Sequence, residues 1–303
     1  MAIEKIPNVA LDDNDLVKVK QCGNVSIATY TNTANKQARI KKLDKDRYVE
    51  LATGEIKEFN HNKNRLDDTQ SLRESLARLR DYLNTNITNA RNCRWLTLTY
   101  RNVMNDSDRL YSDFKEFNRL CRKKYGSYEY IVAAEYQKRG SLHLHCVLIF
   151  DSAAPFMKNK DVADIWKHGF VNVRKLVGVD DIGRYLTAYI GDAPLDEIGR
   201  LPSNVRLEDI KVIEVKQNGK KVTKALVKGA RLALMPPGFN LYRISKGIRK
   251  PETVVMTNAE VEQQYNNWVL KHEVTYKVSD ASRDFNTIVN KRHYSRWRKA
   301  KEV

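Results

Sequence analysis

The chain has few cysteines and no long apolar runs. Cys22, Cys93, Cys121 and Cys146 are scattered and form no C-x-x-C pair, which excludes a zinc ribbon and argues against a disulfide frame. They read as free, mostly buried thiols suited to a reducing compartment. No window approaches the roughly 20 apolar residues that a membrane-spanning helix needs. Met1-Ala-Ile-Glu-Lys-Ile-Pro has no basic stretch followed by an apolar one, so no leader is expected. The reading is a cytoplasmic protein with no membrane partner. No G-x-x-x-x-G-K-[ST] stretch occurs, which excludes the phosphate cradle of an ATP-driven helicase. His61, His168, His272 and His293 lack partners at ligand spacing and read as surface or packing residues. Positive charge, in contrast, is plentiful. Lys and Arg number 54 against 37 Asp and Glu, a net +17, and a polyanion is the usual partner of such a surface.

With 303 residues and 42% apolar content, the chain can bury the core of one large or two modest domains. Residues 22–59 read as short strands, with Tyr48 to Phe59 a hairpin turning near Gly54. Leu72, Leu76, Leu79 and Leu83 recur at helical spacing and predict a helix over about 68–86. Arg94 to Tyr100 alternates as a strand. Leu110, Phe114, Phe117 and Cys121 predict a helix from Ser107 to Gly126. A short helix over 161–166, a strand over 169–173 and a helix over 181–190 follow. Asn218-Gly219 signals a further hairpin, readable as a DNA-facing ribbon or as an insertion. The expected fold class is α+β: a central antiparallel sheet flanked by helices on one side. The expected division is a β-rich extension (1–66), a central domain (67–255) and a basic C-terminal segment (256–303).

The most informative stretch is Glu135-Tyr-Gln-Lys-Arg-Gly-Ser-Leu-His-Leu-His145. On a strand, His143 and His145 share a face, roughly 6 to 7 Å apart, while Leu142, Leu144, Cys146 and Leu148 point into the core. Tyr128 to Glu135 predicts the partner strand, with Gly140 in the turn where positive φ is needed. A three-residue loop there sets Glu135 opposite His143. Cross-strand partners lie about 5 Å apart at Cβ, so Glu135, His143 and His145 can hold one ion and leave positions open for phosphate and water. An isolated His-x-His is often only the polar face of an amphipathic strand. The matching carboxylate argues for the metal.

Tyr185 and Tyr189, four residues apart, share one face of the helix over 181–190. Such a pair commonly packs half-buried on a sheet. Beside a metal site, a phenolate can instead attack a phosphodiester and keep the bond energy as a phosphotyrosine.

These motifs resemble, in order, those of the HUH endonucleases, and within them the rolling-circle replication initiators of plasmids and phages. Trp95-Leu-Thr-Leu-Thr-Tyr100 is similar to the family's Thr-rich first motif. Glu135 with Gly140, His143 and His145 is similar to its metal motif, and Tyr185 to Tyr189 to its nucleophile helix. Trp166…Gly169-Phe-Val-Asn-Val173 and Tyr242-Arg-Ile-Ser-Lys246…Pro251 resemble connecting segments, so the likeness covers about residues 90–255. It implies Mg²⁺ or Mn²⁺ as cofactor, nicking of single-stranded origin DNA through a 5′-phosphotyrosine, and a 3′-hydroxyl that primes synthesis. Its implied partners are origin DNA, a host helicase and the replication polymerase. Many relatives carry Lys three residues after the first tyrosine; this chain has Ala188. Tyr185 occupies the usual nucleophile place and Tyr189 the second, with use of one or both left open.

DNA contacts are expected from Lys138 and Arg139 at the turn, from Arg243, Lys246 and Arg249, and from Arg296, Trp297 and Arg298 in the basic stretch 291–301. That stretch reads equally as a solvated tail. A conjugative relaxase is disfavoured, because its tyrosine usually precedes the histidines and a third histidine replaces the carboxylate. A single-strand transposase is typically much smaller. A non-catalytic origin-binding or repressor protein would need the charge but not the triad and tyrosines together. Origin sequence, type of mobile element and oligomeric state are not readable.

Overall fold

The computed structural model describes residues 2–33, 40–59, 69–136, 140–176, 181–183, 186–187, 193–194, 210–217, 220–227, 239–280 and 285–296. The chain divides into two units, one of residues 63–251 and one of 1–62 together with 252–303. The terminal unit takes β1 (Ala2–Ile6), β2 (Leu16–Cys22), β3 (Val25–Thr31), β4 (Ile40–Lys42), β5 (Arg47–Glu50) and β6 (Ile56–Glu58) from the N-terminal side. The central unit holds α1 (Thr69–Asn86), β7 (Cys93–Thr99), α2 (Ser107–Tyr125), β8 (Glu129–Tyr136), β9 (Leu142–Ile149), α3 (Asn159–Trp166) and β10 (Val171–Lys175). It continues through β11 (Ala193–Pro194), β12 (Ile210–Gln217), β13 (Lys220–Val227) and β14 (Tyr242–Ile244). The terminal unit resumes with β15 (Glu252–Thr257), α4 (Asn258–Tyr265), β16 (Val269–Asp280) and β17 (Phe285–Ser295).

The central unit is built on a five-stranded antiparallel sheet in the order β10-β7-β9-β8-β14. Its middle strand, β9, alternates so that Leu142, Leu144, Cys146 and Leu148 face α2 and α3. Helix α2 supplies Leu110, Phe114, Phe117 and Cys121 at helical spacing. It starts where the Asp106 carboxylate accepts from Asp108 N (2.9 Å) and Arg109 N (3.1 Å), and ends at Gly126 with φ 88°. Helix α3 adds Val162 and Trp166 to this layer.

The opposite face is covered as well. Leu79 and Leu83 of α1, with Ile182 and Leu186, cluster on Trp95, Ile131, Ala133 and Val147. The expectation of helices on one side is therefore corrected: both faces are packed, which explains why the His-x-His strand is buried nearly along its whole length. Ile182, Gly183, Leu186 and Thr187 are helical, in keeping with the helix read over 181–190. The hairpin read at Asn218-Gly219 pairs β12 with β13, with the turn itself outside the described residues.

In the terminal unit the two ends of the chain pair into one six-stranded sheet in the order β1-β16-β17-β3-β2-β15. Helix α4 packs Val261 and Tyr265 on Val17, Val19, Ala28 and Tyr294. The segment read as a basic tail is strand β17 up to Ser295. Arg292 is buried there, donating to Glu262 and, at 2.7 Å, to Asn258 Oδ1. Tyr294 stacks on Tyr265 with centroids 5.1 Å apart, and burial pushes its phenol up to about 12. Neither side chain is offered to DNA as the sequence suggests, because pairing with β3 and β16 turns them toward α4. All four cysteines are free and buried. Among the described residues, no helix is long and apolar enough to cross a membrane.

Candidate metal centre

The antiparallel β8–β9 ladder sets Glu135 opposite His143 and Ala133 opposite His145, with Gly140 at φ 76° where the chain reverses. The register expected from the turn is the one found. Alternation puts Glu135, His143 and His145 on the face covered by α1, and their relative exposures of 0%, 4% and 4% leave almost no solvent contact.

Three donor atoms converge. Glu135 Oε2 lies 2.8 Å from His145 Nε2 and 3.4 Å from His143 Nε2, and the two Nε2 atoms are 2.8 Å apart. Ligands at about 2.0–2.1 Å from an octahedral ion stand about 3 Å from their neighbours, so the spacing is that of three adjacent corners of one coordination shell. The triad can therefore hold a metal ion. Its mixed nitrogen and oxygen donors suit several divalent metals and do not select one. Burial, and next the adjacent His143, push the His145 imidazole below its ordinary value, favouring the neutral form that ligates metal.

Strand β7 supports this arrangement from the other side. Thr97 is the registered partner of His145 and Thr99 that of His143. Thr97 Oγ1 lies 3.4 Å from His145 Nδ1, the nitrogen turned away from the triad, and the Trp95 ring sits 6.0 Å from the His145 ring. The Thr-rich strand of the sequence thus borders the metal face.

Tyr185, Tyr189, Lys138, Arg139, Trp297 and Arg298 lie outside the described residues. The residues flanking Tyr185 are informative nevertheless. Ile182 and Leu186 share a cluster with Trp95, Ala133 and Val147, so this helical segment packs on the face that carries the triad. Asn84 of α1 fixes its start: Oδ1 accepts from Gly183 N and Nδ2 donates to Asp181 Oδ1, each at 2.8 Å. A Cβ on Gly183 would lie 2.5 Å from the Arg80 carbonyl oxygen, so only glycine permits this approach. Nothing in the sequence marks Asn84, since a single polar residue in an amphipathic helix reads as solvated.

The remaining basic residues do not gather at the triad. Arg243, paired with Val132, lies on the opposite face with its guanidinium 3.5 Å from the Tyr111 ring centroid. Lys246 and Arg249 are exposed beyond β14, and the Arg249 backbone is clasped by Asn86. Arg296 belongs to the terminal unit and lies over the Trp268 ring at 4.9 Å. Charge is uneven: residues 63–251 carry 35 Lys and Arg against 21 Asp and Glu, a net +14, leaving +3 of the total +17 for the terminal unit.

No curated protein matches the chain. Residues 93–193, from the first residue of β7 past the helical segment over the triad, match the family described as Replication-associated protein ORF2; the chain carries, over that segment, a domain of a rolling-circle Rep family.

Proposed function

We propose that the central unit is a metal-dependent DNA strand transferase that initiates rolling-circle replication of a plasmid, phage or other mobile element. The observation that carries this reading is the convergence of Glu135, His143 and His145 within a replication-associated segment, beneath helical residues that bracket Tyr185. Glu135, His143 and His145 would hold Mg²⁺ or Mn²⁺. The ion, when bound, supplies positive charge to the oxygens of the scissile phosphate.

The remaining chemistry belongs to the chain. The Tyr185 phenol loses its proton and its oxygen attacks phosphorus; the bond to the 3′ oxygen breaks, that oxygen takes up a proton, and a 5′-phosphotyrosine is left. The released 3′-hydroxyl primes the polymerase. After a round of synthesis Tyr189 repeats the attack, or the new 3′-hydroxyl attacks the phosphotyrosine directly, and the strand is closed. A host helicase supplies unwinding. Single-stranded origin DNA is the substrate, held by the positive surface of residues 63–251.

The test is covalent trapping. Full-length protein is incubated with single-stranded DNA of the cognate element, with Mn²⁺ or EDTA, and resolved on a denaturing gel. A metal-dependent adduct that disappears in Tyr185→Phe is expected. Loss only in Tyr189→Phe would exchange the roles of the two tyrosines. Binding without an adduct under any metal would overturn the enzyme reading and leave a non-catalytic origin-binding protein.

A further inference from the structure

The line of paired residues that carries the triad extends across the central sheet to its edge, and its last member is an exposed aromatic. Glu135 pairs with His143, and His143 with Thr99. The β7–β10 ladder begins at Leu98 and Val171, and its next rung is a bond from Thr99 N to Phe170 O at 2.9 Å. Phe170, Thr99, His143 and Glu135 therefore follow one another across neighbouring strands, with Phe170 about 10 Å, two strand spacings, from His143. Val171 is 3% exposed in the layer beneath α2 and α3, whereas Phe170 is 68% exposed. Alternation thus places Phe170 on the metal-bearing face, and with it Asn172 and Arg174.

Phe170 is held in place from several sides. Thr99 Oγ1 also donates to Phe170 O at 2.8 Å, Arg101 N donates to His168 O at 2.8 Å, and Trp166 Nε1 donates to Thr99 O at 2.8 Å. Gly169 lies so close to this strand that a Cβ would sit 2.5 Å from Thr99 O. A rigid frame thus presents a large ring to solvent on an edge strand.

We infer that Phe170 is a stacking platform for an unpaired nucleobase of the strand that reaches the triad. This rests on the reading of the triad as a DNA-cleaving centre. The flanking chemistry favours a nucleic acid over an apolar protein surface: Asn172 and Arg174 continue the same face with an amide and a guanidinium, and the unit carries a net +14. A ring bordered by cations meets both parts of a nucleotide, the base by stacking and the phosphate by charge. At that separation the stacked base belongs to a nucleotide near the scissile phosphate, so Phe170 would fix the register of the strand.

The experiment uses full-length protein and single-stranded oligonucleotides in EDTA, where no cleavage is required. Affinity is read by fluorescence anisotropy and stacking by quenching of 2-aminopurine placed along the oligonucleotide. Phe170→Ala is expected to bind about ten- to a hundredfold more weakly and to lose quenching at one position. Phe170→Trp should retain both and Phe170→Leu should restore neither. Unchanged affinity and quenching in Phe170→Ala overturns the platform, as does full rescue by leucine, which would mark a plain apolar contact. Because Phe170 is exposed, unfolding temperature serves as the control for folding. A wild type that forms no adduct, yet loses single-strand affinity on Phe170→Ala, would sink the cleavage reading and keep the platform. An adduct with unaltered binding by Phe170→Ala would do the reverse.

Discussion

Asn84 reaches from α1 to Gly183, accepting its backbone N–H at 2.8 Å while donating to Asp181 at the same distance. One buried amide therefore ties α1 to the helical segment over the triad. It is a positioning residue, since it lies on neither the triad nor the tyrosines.

Replacing it separates position from metal binding. Asn84→Ala leaves Gly183 N and Asp181 without this partner, a loss of about 1–3 kcal/mol in a buried setting. For a unit of this size each 1 kcal/mol lowers Tm by roughly 2–4 °C. Asn84→Asp should be no better, because it sets a carboxylate against Asp181. The expected outcome is a tenfold or larger fall in adduct formation with Mn²⁺ affinity changed less than twofold. Equal losses of both would show that Asn84 supports the fold generally rather than the placement of this segment.

The triad makes a prediction independent of catalysis. A metal bound by the folded chain alone raises stability by about 2.7 kcal/mol at a hundred times its Kd. Mn²⁺ should therefore raise the wild-type Tm by several degrees and leave His143→Ala and Glu135→Gln nearly unmoved. The ligand distances of 2.8 to 3.4 Å make each donor necessary. A Tm rise of wild-type size in His143→Ala would remove that histidine from the site.

What the sequence makes legible is local. Helix α2 is bounded by Ser107 and Gly126 because a cap and a positive-φ glycine are written in neighbouring residues. Glu135 falls opposite His143 because a short turn leaves little choice of register. The second helical layer is not legible, because Leu79, Leu83, Ile182 and Leu186 each read as one side of a helix, with nothing to say which face of the sheet they cover. Nor is the union of 1–62 with 252–303, because strand pairing between chain ends leaves no periodic trace. Arg292 and Tyr294 look like a nucleic-acid surface for the same reason: a basic, aromatic stretch and a buried strand-to-helix contact are written in the same residues until the partner strand is known.

The division of charge leads to the last prediction. If the net charge alone drew DNA, cations at either end of the chain would serve equally; but residues 63–251 hold +14 and the terminal unit only +3. The β12–β13 hairpin concentrates part of the excess, with Lys216 registered directly opposite Lys221 and Lys220 next to it. Like charges at opposed positions of a ladder are unfavourable, and a bound phosphate offsets that cost. Lys216→Gln combined with Lys220→Gln and Lys221→Gln should therefore flatten the dependence of log affinity on log salt by about one unit for each phosphate no longer bound. Neutralising Arg296, Arg298 and Lys299 removes the same formal charge from the terminal unit and should change the slope less. Equal slopes in the two triple variants would show that DNA responds to the total charge of the chain, and the hairpin would then have no claim as a DNA-binding surface.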